Sequence, residues 1–259
     1  MVDVAVVQLD AVPGDVAGNL ARLLDAVGSH GPAVDLMVAP ELSLTGYDLE
    51  LLASRGAELA EPADGPSLRR LAQACAEART TLVVGFLEIE NGLLFDSLAT
   101  LTPDGRTEVY RKTHLYPDEL ALFAAGDDLR TVRTPAAVLG PMICFEHAFP
   151  EVATTLALRG AEILVIPSAV PMGYEHLLSL RTRARAQDNQ VFAVACNMAG
   201  HGFCGGSLVA DPRGEVVVEA SAGEGLLHAH IDLAAVQAER QLEPALNMRR
   251  PELYTDRTR

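Results

Sequence analysis

A cysteine, a lysine and a glutamate near the ends of apolar stretches are the residues of this sequence best suited to covalent chemistry. Glu41 follows "VDLMVAP", Lys112 follows "TEVYR", and Cys144 lies near the end of "AAVLGPMIC". In acyl transfer, a thiol can act as nucleophile, a carboxylate as base and an ammonium as oxyanion donor. Reactive residues of open α/β sheets gather beyond the carboxyl ends of strands, which is where the apolar pattern places all three.

Cys144 has two other interpretations. A cysteine on an apolar strand commonly behaves as a small buried hydrophobic residue. Glu146 and His147 follow it in "GPMICFEHAFPE" and suggest metal ligation, but their spacing matches no zinc motif, and successive strand residues point to opposite faces. Taken singly, Glu41 is equally compatible with the start of a loop, and Lys112 is equally compatible with a solvated surface lysine. The residues alone leave these alternatives open.

Hydrophobic periodicity predicts alternating strands and helices. "VDVAVVQL" is almost continuously apolar, as in a strand buried on both faces, whereas "GNLARLLDAVGSHG" has the spacing of an amphipathic helix. The same pattern occurs again later in the chain, where "FPEVATTLALRG" predicts a helix between two further strands. Two strand–helix–strand units are therefore predicted, with strands over residues 2–9, 33–41, 136–146 and 161–169.

The remaining segments extend the two units into a layered α/β sandwich. Helices are predicted in "SLRRLAQACAEAR" and "EHLLSLRTRARAQDNQ", and hairpins around "TPDGR" and "DPRGE". Further strands are predicted in "TTLVVGFLEIE", "LLFDSLATLTPDG", "TEVYRK" and "VFAVACNM". No linker-like segment interrupts the pattern, so we expect one domain over residues 1–259, with a C-terminal arm from about residue 240.

Composition excludes several classes of protein. The 259 residues are 49% hydrophobic and carry a formal net charge of −15. Nucleic-acid and anionic-membrane partners require basic patches, so we expect neither. No apolar run approaches the roughly 18 residues of a membrane-spanning helix. We also expect no signal peptide, because "MVDVAVVQLD" has no basic region followed by a long apolar stretch.

The four cysteines predict neither a zinc site nor a redox motif. Cys75, Cys144, Cys196 and Cys204 form no C-x-x-C pair. A chain of this length does not need disulfides for stability. Without a signal peptide, the expected location is the cytoplasm.

The chain resembles the nitrilase superfamily of carbon–nitrogen hydrolases along nearly its whole length. The matching motifs are "APELSLTGY" (39–47), "YRKTHLYPDELALFAAGDD" (110–128) and "GPMICFEHAFPE" (140–151). "RGAEILVIPSA", "RARAQDNQVFAVACN" and "GGSLVADPRGE" support the resemblance. Three motifs in the right order are far more specific than any one of them. The resemblance implies a four-layer αββα sandwich that forms a homodimer or a higher homo-oligomer, with the C-terminal arm reaching the partner.

The resemblance also implies which residues are catalytic. Carried over residue by residue, they are Glu41, Lys112 and Cys144, with a second active-site glutamate before a turn of the "PG" type. The spacing to that turn favours Glu119 over Asp118 for the second glutamate. With the whole set in order, the nucleophile becomes the preferred interpretation of Cys144.

Some positions depart from the family pattern. Alanine replaces the usual proline at Ala125, and Phe145 and Glu146 stand where tyrosine and aspartate are common. The first change should affect the turn, and the loss of a hydroxyl at Phe145 should affect the pocket. The backbone N–H of Phe145 remains available to hold an oxyanion. The residues expected to bind the substrate are Tyr47, Phe145, Ser168 and Ala169.

The implied activity is hydrolysis of a small aliphatic amide to a carboxylic acid and ammonia through a cysteine thioester. "TGY", "YRKTHL", "RARAQDNQ" and "YTDRTR" are most similar to short-chain aliphatic amidases, including the 5-aminopentanamidase type. N-carbamoyl amines or amino acids are the second substrate class, and nitriles the third. A catalytically silent binding or regulatory protein is the alternative outside enzymes. The mechanism requires no metal and no organic cofactor.

Overall fold

Two six-stranded sheets form the centre of the computed structural model of the chain, which describes residues 1–254. The strands are β1 (Val2–Gln8), β2 (Leu36–Val38), β3 (Thr81–Glu90), β4 (Leu93–Leu101), β5 (Thr107–Arg111), β6 (Val132–Arg133), β7 (Val138–Pro141), β8 (Ile163–Ser168), β9 (Phe192–Asn197), β10 (Ala199–Gly200), β11 (Phe203–Cys204), β12 (Leu208–Ala210), β13 (Val216–Glu219) and β14 (Gly225–Ile231). The helices are α1 (Val16–His30), α2 (Leu49–Leu59), α3 (Pro66–Ala78), α4 (Pro150–Leu158), α5 (Glu175–Asn189) and α6 (Ala234–Leu242).

Each sheet has a parallel centre flanked by antiparallel strands. The first sheet has the order β14-β1-β2-β3-β4-β5, and its β1, β2 and β3 are parallel. The second has the order β13-β12-β9-β8-β7-β6, and its β7, β8 and β9 are parallel. Parallel neighbours need a crossover connection. The predicted strand–helix–strand units supply it, as β1–α1–β2 and β7–α4–β8.

Alternation of side chains along the strands produces the layers. In β1, Val4 and Val6 join the apolar cluster between the two sheets, whereas Ala5 and Val7 join the cluster under the helices. Helices α1 and α3 cover the outer face of the first sheet, and α4 and α5 cover that of the second. The predicted four-layer αββα sandwich is confirmed.

The strand predicted over residues 136–146 is wrong at its C-terminal end. Strand β7 stops at Pro141, and Cys144 begins a 3-10 helix, Cys144–Ala148. Met142 and Ile143 are apolar because each is buried in one of the core clusters, not because the strand continues. The N–H of Ile143 donates to the Glu146 carboxylate over 2.6 Å, which turns the chain away from the sheet.

The strand predicted over residues 33–41 is also shorter in the structure. Strand β2 covers Leu36–Val38 alone, and Glu41 lies in the turn that follows. Leu42, the next residue, has φ +45°, in the left-handed region that is costly for residues other than glycine. The chain therefore reverses direction at Glu41 instead of extending through it.

Three larger elements were not predicted: α2, α6 and β14. Helix α2 carries a start signal, because the Asp48 side chain accepts a hydrogen bond from the N–H of Leu51. Strand β14, "GLLHAHI", alternates buried and exposed residues and so carries a strand signal of period two. Both signals are readable in the sequence.

The C-terminal segment leaves the sandwich after α6. It continues through two 3-10 turns, Ala245–Met248 and Pro251–Leu253, whose side chains are mostly exposed. Residues 255–259, which include most of the "YTDRTR" stretch, lie outside the described residues. Among residues 1–254, no helix combines the length and apolarity that a membrane crossing requires.

Gly85 allows the turn that carries Glu41 to lie directly on β3. Its N–H donates to the carbonyl of Pro40 over 3.1 Å, and its carbonyl accepts from the N–H of Leu44 over 3.4 Å. A Cβ at this position would lie 2.4 Å from both the Pro40 oxygen and the Leu42 nitrogen. The backbone atoms on both sides cannot move away without a large cost in free energy, so this position requires glycine.

Gly85→Ala should lower the free energy of unfolding by about 1–3 kcal/mol, because the methyl group must displace backbone. Denaturant titration measures this loss. Gly28→Ala in α1 is the matched control, since a Cβ added there would have no atom within 4 Å apart from the neighbouring backbone of its own helix. The control should be neutral or stabilising by about 0.5–1 kcal/mol. Equal stability of the two variants would show that the turn tolerates a side chain.

Candidate active site

The four side chains expected to perform the chemistry converge where strands of both sheets end. Glu41 follows β2, Lys112 directly follows β5, and Cys144 follows β7. Glu119 ends a 3-10 turn, Pro117–Glu119. Lys112, Glu119 and Cys144 line one cavity, and Glu41 contacts Lys112 beside it. The structure thus brings together residues that lie up to about a hundred positions apart in the chain.

The ammonium group of Lys112 is the centre of this arrangement. Its Nζ lies 2.6 Å from Glu41 Oε1, 2.7 Å from Glu119 Oε1 and 3.1 Å from Asp96 Oδ2. Lys112 is 1% exposed, and all three acids are fully buried. Burial disfavours the charge on Lys112, but Glu41 and Asp96 outweigh that effect and hold the pKa of Lys112 well above its ordinary value. Lys112 is therefore a fixed cation.

Glu119 is held by hydrogen bonds from three directions. Besides Lys112, its Oε1 accepts from the hydroxyl of Tyr47 over 2.6 Å, and its Oε2 accepts from the N–H of Tyr116 over 2.7 Å. The competing residue, Asp118, has an exposed side chain on the cavity wall, and among the described residues it makes no ion pair with Lys112. The contact with Lys112 is thus made by Glu119, the residue that the spacing to the turn favoured.

Cys144 presents its side chain from a strained backbone. Its φ is +42°, a conformation that costs residues other than glycine roughly 1–3 kcal/mol and that clusters at functional sites. Burial and then the charge of Glu41 raise the pKa of the Cys144 thiol well above its ordinary value, whereas Lys112 and a backbone hydrogen bond from Ala169 lower it. The resting side chain is therefore a protonated thiol that needs a base.

Glu146 ties the turn that carries Cys144 to the segment that carries Lys112. One carboxylate oxygen accepts from the hydroxyl of Tyr110 over 2.7 Å and from the N–H of Thr113 over 2.9 Å. The other accepts from the N–H of Ile143, which precedes the cysteine. Glu146 is fully buried. It therefore fixes the separation of the two reactive side chains without facing the substrate, which the sequence alone did not indicate.

The cavity has a volume of about 580 Å³ and a largely apolar wall. Three of the four expected substrate-binding residues, Tyr47, Phe145 and Ala169, line it. The fourth, Ser168, is fully buried, and its hydroxyl donates to the carbonyl of Ile166 over 3.1 Å. Ser168 is absent from the lining, so the structure places it behind the wall.

His147 and Arg181 also line the cavity, although neither was among the residues expected to bind the substrate. Burial and then Arg181 lower the pKa of His147 to about 3, so the imidazole is neutral at neutral pH. Its Nε2 lies 3.3 Å from Arg181 Nη1, as in a hydrogen bond donated by the guanidinium. Arg181 lies on α5, where sequence spacing alone did not distinguish it from its neighbours.

Asp96 is a further residue of the site that the sequence did not indicate. It lies within β4, where a buried acid carries no spacing signal, and its register partner on β3 is Leu87. Oxygen atoms of Glu41, Asp96 and Glu119 lie within 4.8 Å of one another. Such a cluster has the donors of a cation site, and the cation that it contacts here is the ammonium of Lys112.

Glu146→Gln should lower both stability and turnover. In the glutamine side chain, an N–H₂ group replaces a carboxylate oxygen that accepted hydrogen bonds from N–H or O–H donors. Each buried donor that is left without an acceptor costs about 1–3 kcal/mol of stability. Glu151→Gln, at an exposed position on α4, is the matched control and should change neither quantity. Thermal melts and steady-state rates measure both effects. A Glu146→Gln enzyme as stable as the control would contradict the role of Glu146 as a tie.

Comparison with known proteins identifies the family of this chain. The model of the carbon–nitrogen hydrolase family matches residues 3–241. An (R)-stereoselective amidase from a Pseudomonas species is 35% identical to this chain, over 98% of it and 94% of the relative.

Two solved structures share the fold. One is Saccharomyces cerevisiae Nit3, a member of branch 10 of the nitrilase superfamily, with 27% identity and a TM-score of 0.86 over 100% of this chain and 97% of Nit3. The other is a mutant of an amidase from Nesterenkonia sp. AN1 with acrylamide added at its active-site cysteine, with 25% identity and a TM-score of 0.87 over 98% of each chain. The chain therefore belongs to the nitrilase superfamily and is a carbon–nitrogen hydrolase.

Proposed function

We propose that the enzyme hydrolyses a small aliphatic amide to a carboxylic acid and ammonia through a thioester on Cys144. The observation that carries the proposal is the buried ammonium of Lys112, which is held between Glu41 and Glu119 beside a cavity that Cys144 also lines. A nucleophile, a base and a fixed cation are the three groups that acyl transfer needs.

In the first step, Glu41 takes the proton of the thiol while the sulfur attacks the carbonyl carbon of the amide. The base is necessary because the raised pKa of Cys144 keeps the thiol protonated at rest. The carbonyl oxygen becomes an oxyanion, which the positive charge of Lys112 stabilises and which accepts a hydrogen bond from the N–H of Phe145. Phe145 lies in the first turn of a 3-10 helix, where an N–H has no intrahelical acceptor.

The tetrahedral intermediate then collapses, and the C–N bond breaks. Protonated Glu41 returns its proton to the leaving nitrogen, which departs as ammonia, and the acyl group stays on the sulfur. Glu119 holds Lys112 in place and contributes an oxygen for the amide N–H₂. Water next attacks the thioester as Glu41 removes a water proton, and that proton passes to the sulfur when the C–S bond breaks. The products are the carboxylic acid and the free thiol.

The cavity wall favours an amide with an apolar acyl group. Aromatic and aliphatic side chains dominate the wall, and such walls bury apolar parts of ligands. They include Tyr116, Phe145, Leu177 and Phe203. The amidase relatives support an amide as first choice, ahead of N-carbamoyl compounds and nitriles, which the same residues could attack. A silent binding protein would have no need of a buried lysine with three acids, a costly arrangement.

Cys144→Ala should fold normally and release no ammonia from any amide, because no thioester can form. Ammonia release and a thermal melt measure the two expectations. Cys75→Ala is the matched control, since Cys75 is buried on α3 in the core cluster under the first sheet. That control should lose some stability and keep its turnover. Residual turnover in Cys144→Ala near the parent rate would remove Cys144 from the mechanism.

Ammonia release over a panel of substrates tests the substrate class. The panel contains aliphatic amides of increasing chain length, the ureido acids of matched length and the matched nitriles. We expect the highest kcat/KM on the amides, because the largely apolar cavity wall suits an aliphatic acyl group. Activity on ureido acids with none on amides would overturn this choice in favour of the second substrate class.

A further inference from the structure

Asp96 is a third carboxyl group on Lys112, beyond the two acids that the proposed mechanism uses. It is fully buried in β4, and its Oδ2 lies 3.1 Å from Lys112 Nζ. Its other oxygen, Oδ1, has no hydrogen-bond partner among the described residues. A buried carboxylate oxygen without a donor is rare because the desolvation cost is large, so the state of this acid requires an explanation.

The charges of the cluster do not balance if every acid is ionised. Glu41, Asp96 and Glu119 would then bring three negative charges against the single positive charge of Lys112, with all four side chains buried. Carboxylates that share a buried site do not all ionise, because like charges at short range raise the free energy of the ionised state. At least one of the three acids therefore holds a proton at neutral pH.

Hydrogen bonding identifies Asp96 as the acid that holds it. Glu119 accepts from three donors, and Glu41 accepts from Lys112 at the shorter distance of 2.6 Å. Among the described residues, the side chain of Asp96 accepts from Lys112 alone, at the longest distance of the three acids. Donors stabilise the ionised form, so ionised Asp96 is the least stabilised. Burial raises the pKa of Asp96 well above its ordinary value; Lys112 opposes this effect, and the charges of Glu41 and Glu119 add to it.

Two unpaired oxygens offer a place for the proton, because the side chain of Asp96 lies within hydrogen-bonding reach of Glu41. Glu41 Oε2 and Asp96 Oδ1 are both buried without a donor among the described residues. A proton on Asp96 that is donated to Glu41 gives both acids the hydrogen bond they lack. It also leaves lone pairs on Glu41 for the thiol proton, because an ionised carboxylate offers about four acceptor positions.

We propose that Asp96 is a positioning residue that stays protonated through turnover and donates a hydrogen bond to the ionised base, Glu41. The proposal rests on the proposed function in assigning Glu41 as the base. The groups that face Asp96 are Lys112, Glu41 and Glu119. Ser97, the next residue of β4, points to the other face, where its hydroxyl donates to Glu88 over 2.6 Å.

Asp96→Ala and Asp96→Asn give opposite expectations on the acid side of the pH profile. Alanine removes the donor that favours ionised Glu41, so the acid limb of kcat/KM should move up by about one pH unit, which is a loss of about tenfold at a fixed pH on that limb. Asparagine keeps a neutral donor, so it should leave the limb in place and restore the rate to within about threefold of the parent.

An ionised Asp96 would give the reverse sign. It would repel ionised Glu41, and either substitution would then move the acid limb to lower pH. A downward shift in both variants therefore overturns the proposal, as does a limb that stays in place in Asp96→Ala. Ser97→Ala is the matched control on the same strand; it tests for general damage to β4 and should leave the limb where it is.

Infrared spectroscopy tests the proton directly and independently of turnover. The parent enzyme at neutral pH should show the carbonyl band of a buried protonated carboxylic acid, and Asp96→Asn should lack that band. Absence of the band from the parent overturns the proposal. An enzyme that shows the band yet hydrolyses no amide would instead refute the proposed function and leave the protonated Asp96 intact.

Discussion

The buried ammonium of Lys112 is the interaction on which the rest of the site depends. A charge removed from water is strongly destabilising unless opposite charges and hydrogen bonds surround it. Lys112 meets that requirement with Glu41, Glu119 and Asp96, all within hydrogen-bond distance of its Nζ. These acids come from separate segments, so the cluster forms only when the segments occupy their places. Folding and assembly of the site are therefore the same event.

The fold brings these acids to Lys112 because it fixes the positions of the segments that follow the strands. Gly85 allows the turn with Glu41 to lie on β3, because no Cβ stands between the two backbones. Glu146 joins the turn before Cys144 to Thr113, the residue after Lys112. Both contacts are made by atoms that never face the cavity. Rigid contacts behind the cavity wall thus fix the distances between the reactive groups. A preorganised site of this kind needs no reorganisation during the reaction.

Electrostatics around Cys144 explain why the site combines a cation with several acids. Burial and Glu41 oppose the thiolate, whereas Lys112 favours it. The balance keeps the sulfur protonated until a substrate arrives, so proton removal and attack belong to one step. A permanently ionised thiolate would instead be exposed to oxidation. The left-handed backbone at Cys144 adds to this control, because it directs the side chain out of the turn and toward the cavity.

The sequence by itself determined the alternating elements, a layered α/β sandwich and Glu41, Lys112 and Cys144 as candidates, and its resemblance to the superfamily added the four layers and Glu119. Apolar periodicity and motif order are properties of the sequence itself, so they can be read without a structure. The tertiary structure decided what depends on distance: that these residues meet, that Ser168 lies behind the wall, and that Asp96 contacts Lys112. A buried acid within a strand has no local signature, since only the neighbours brought by folding distinguish it from a solvated one.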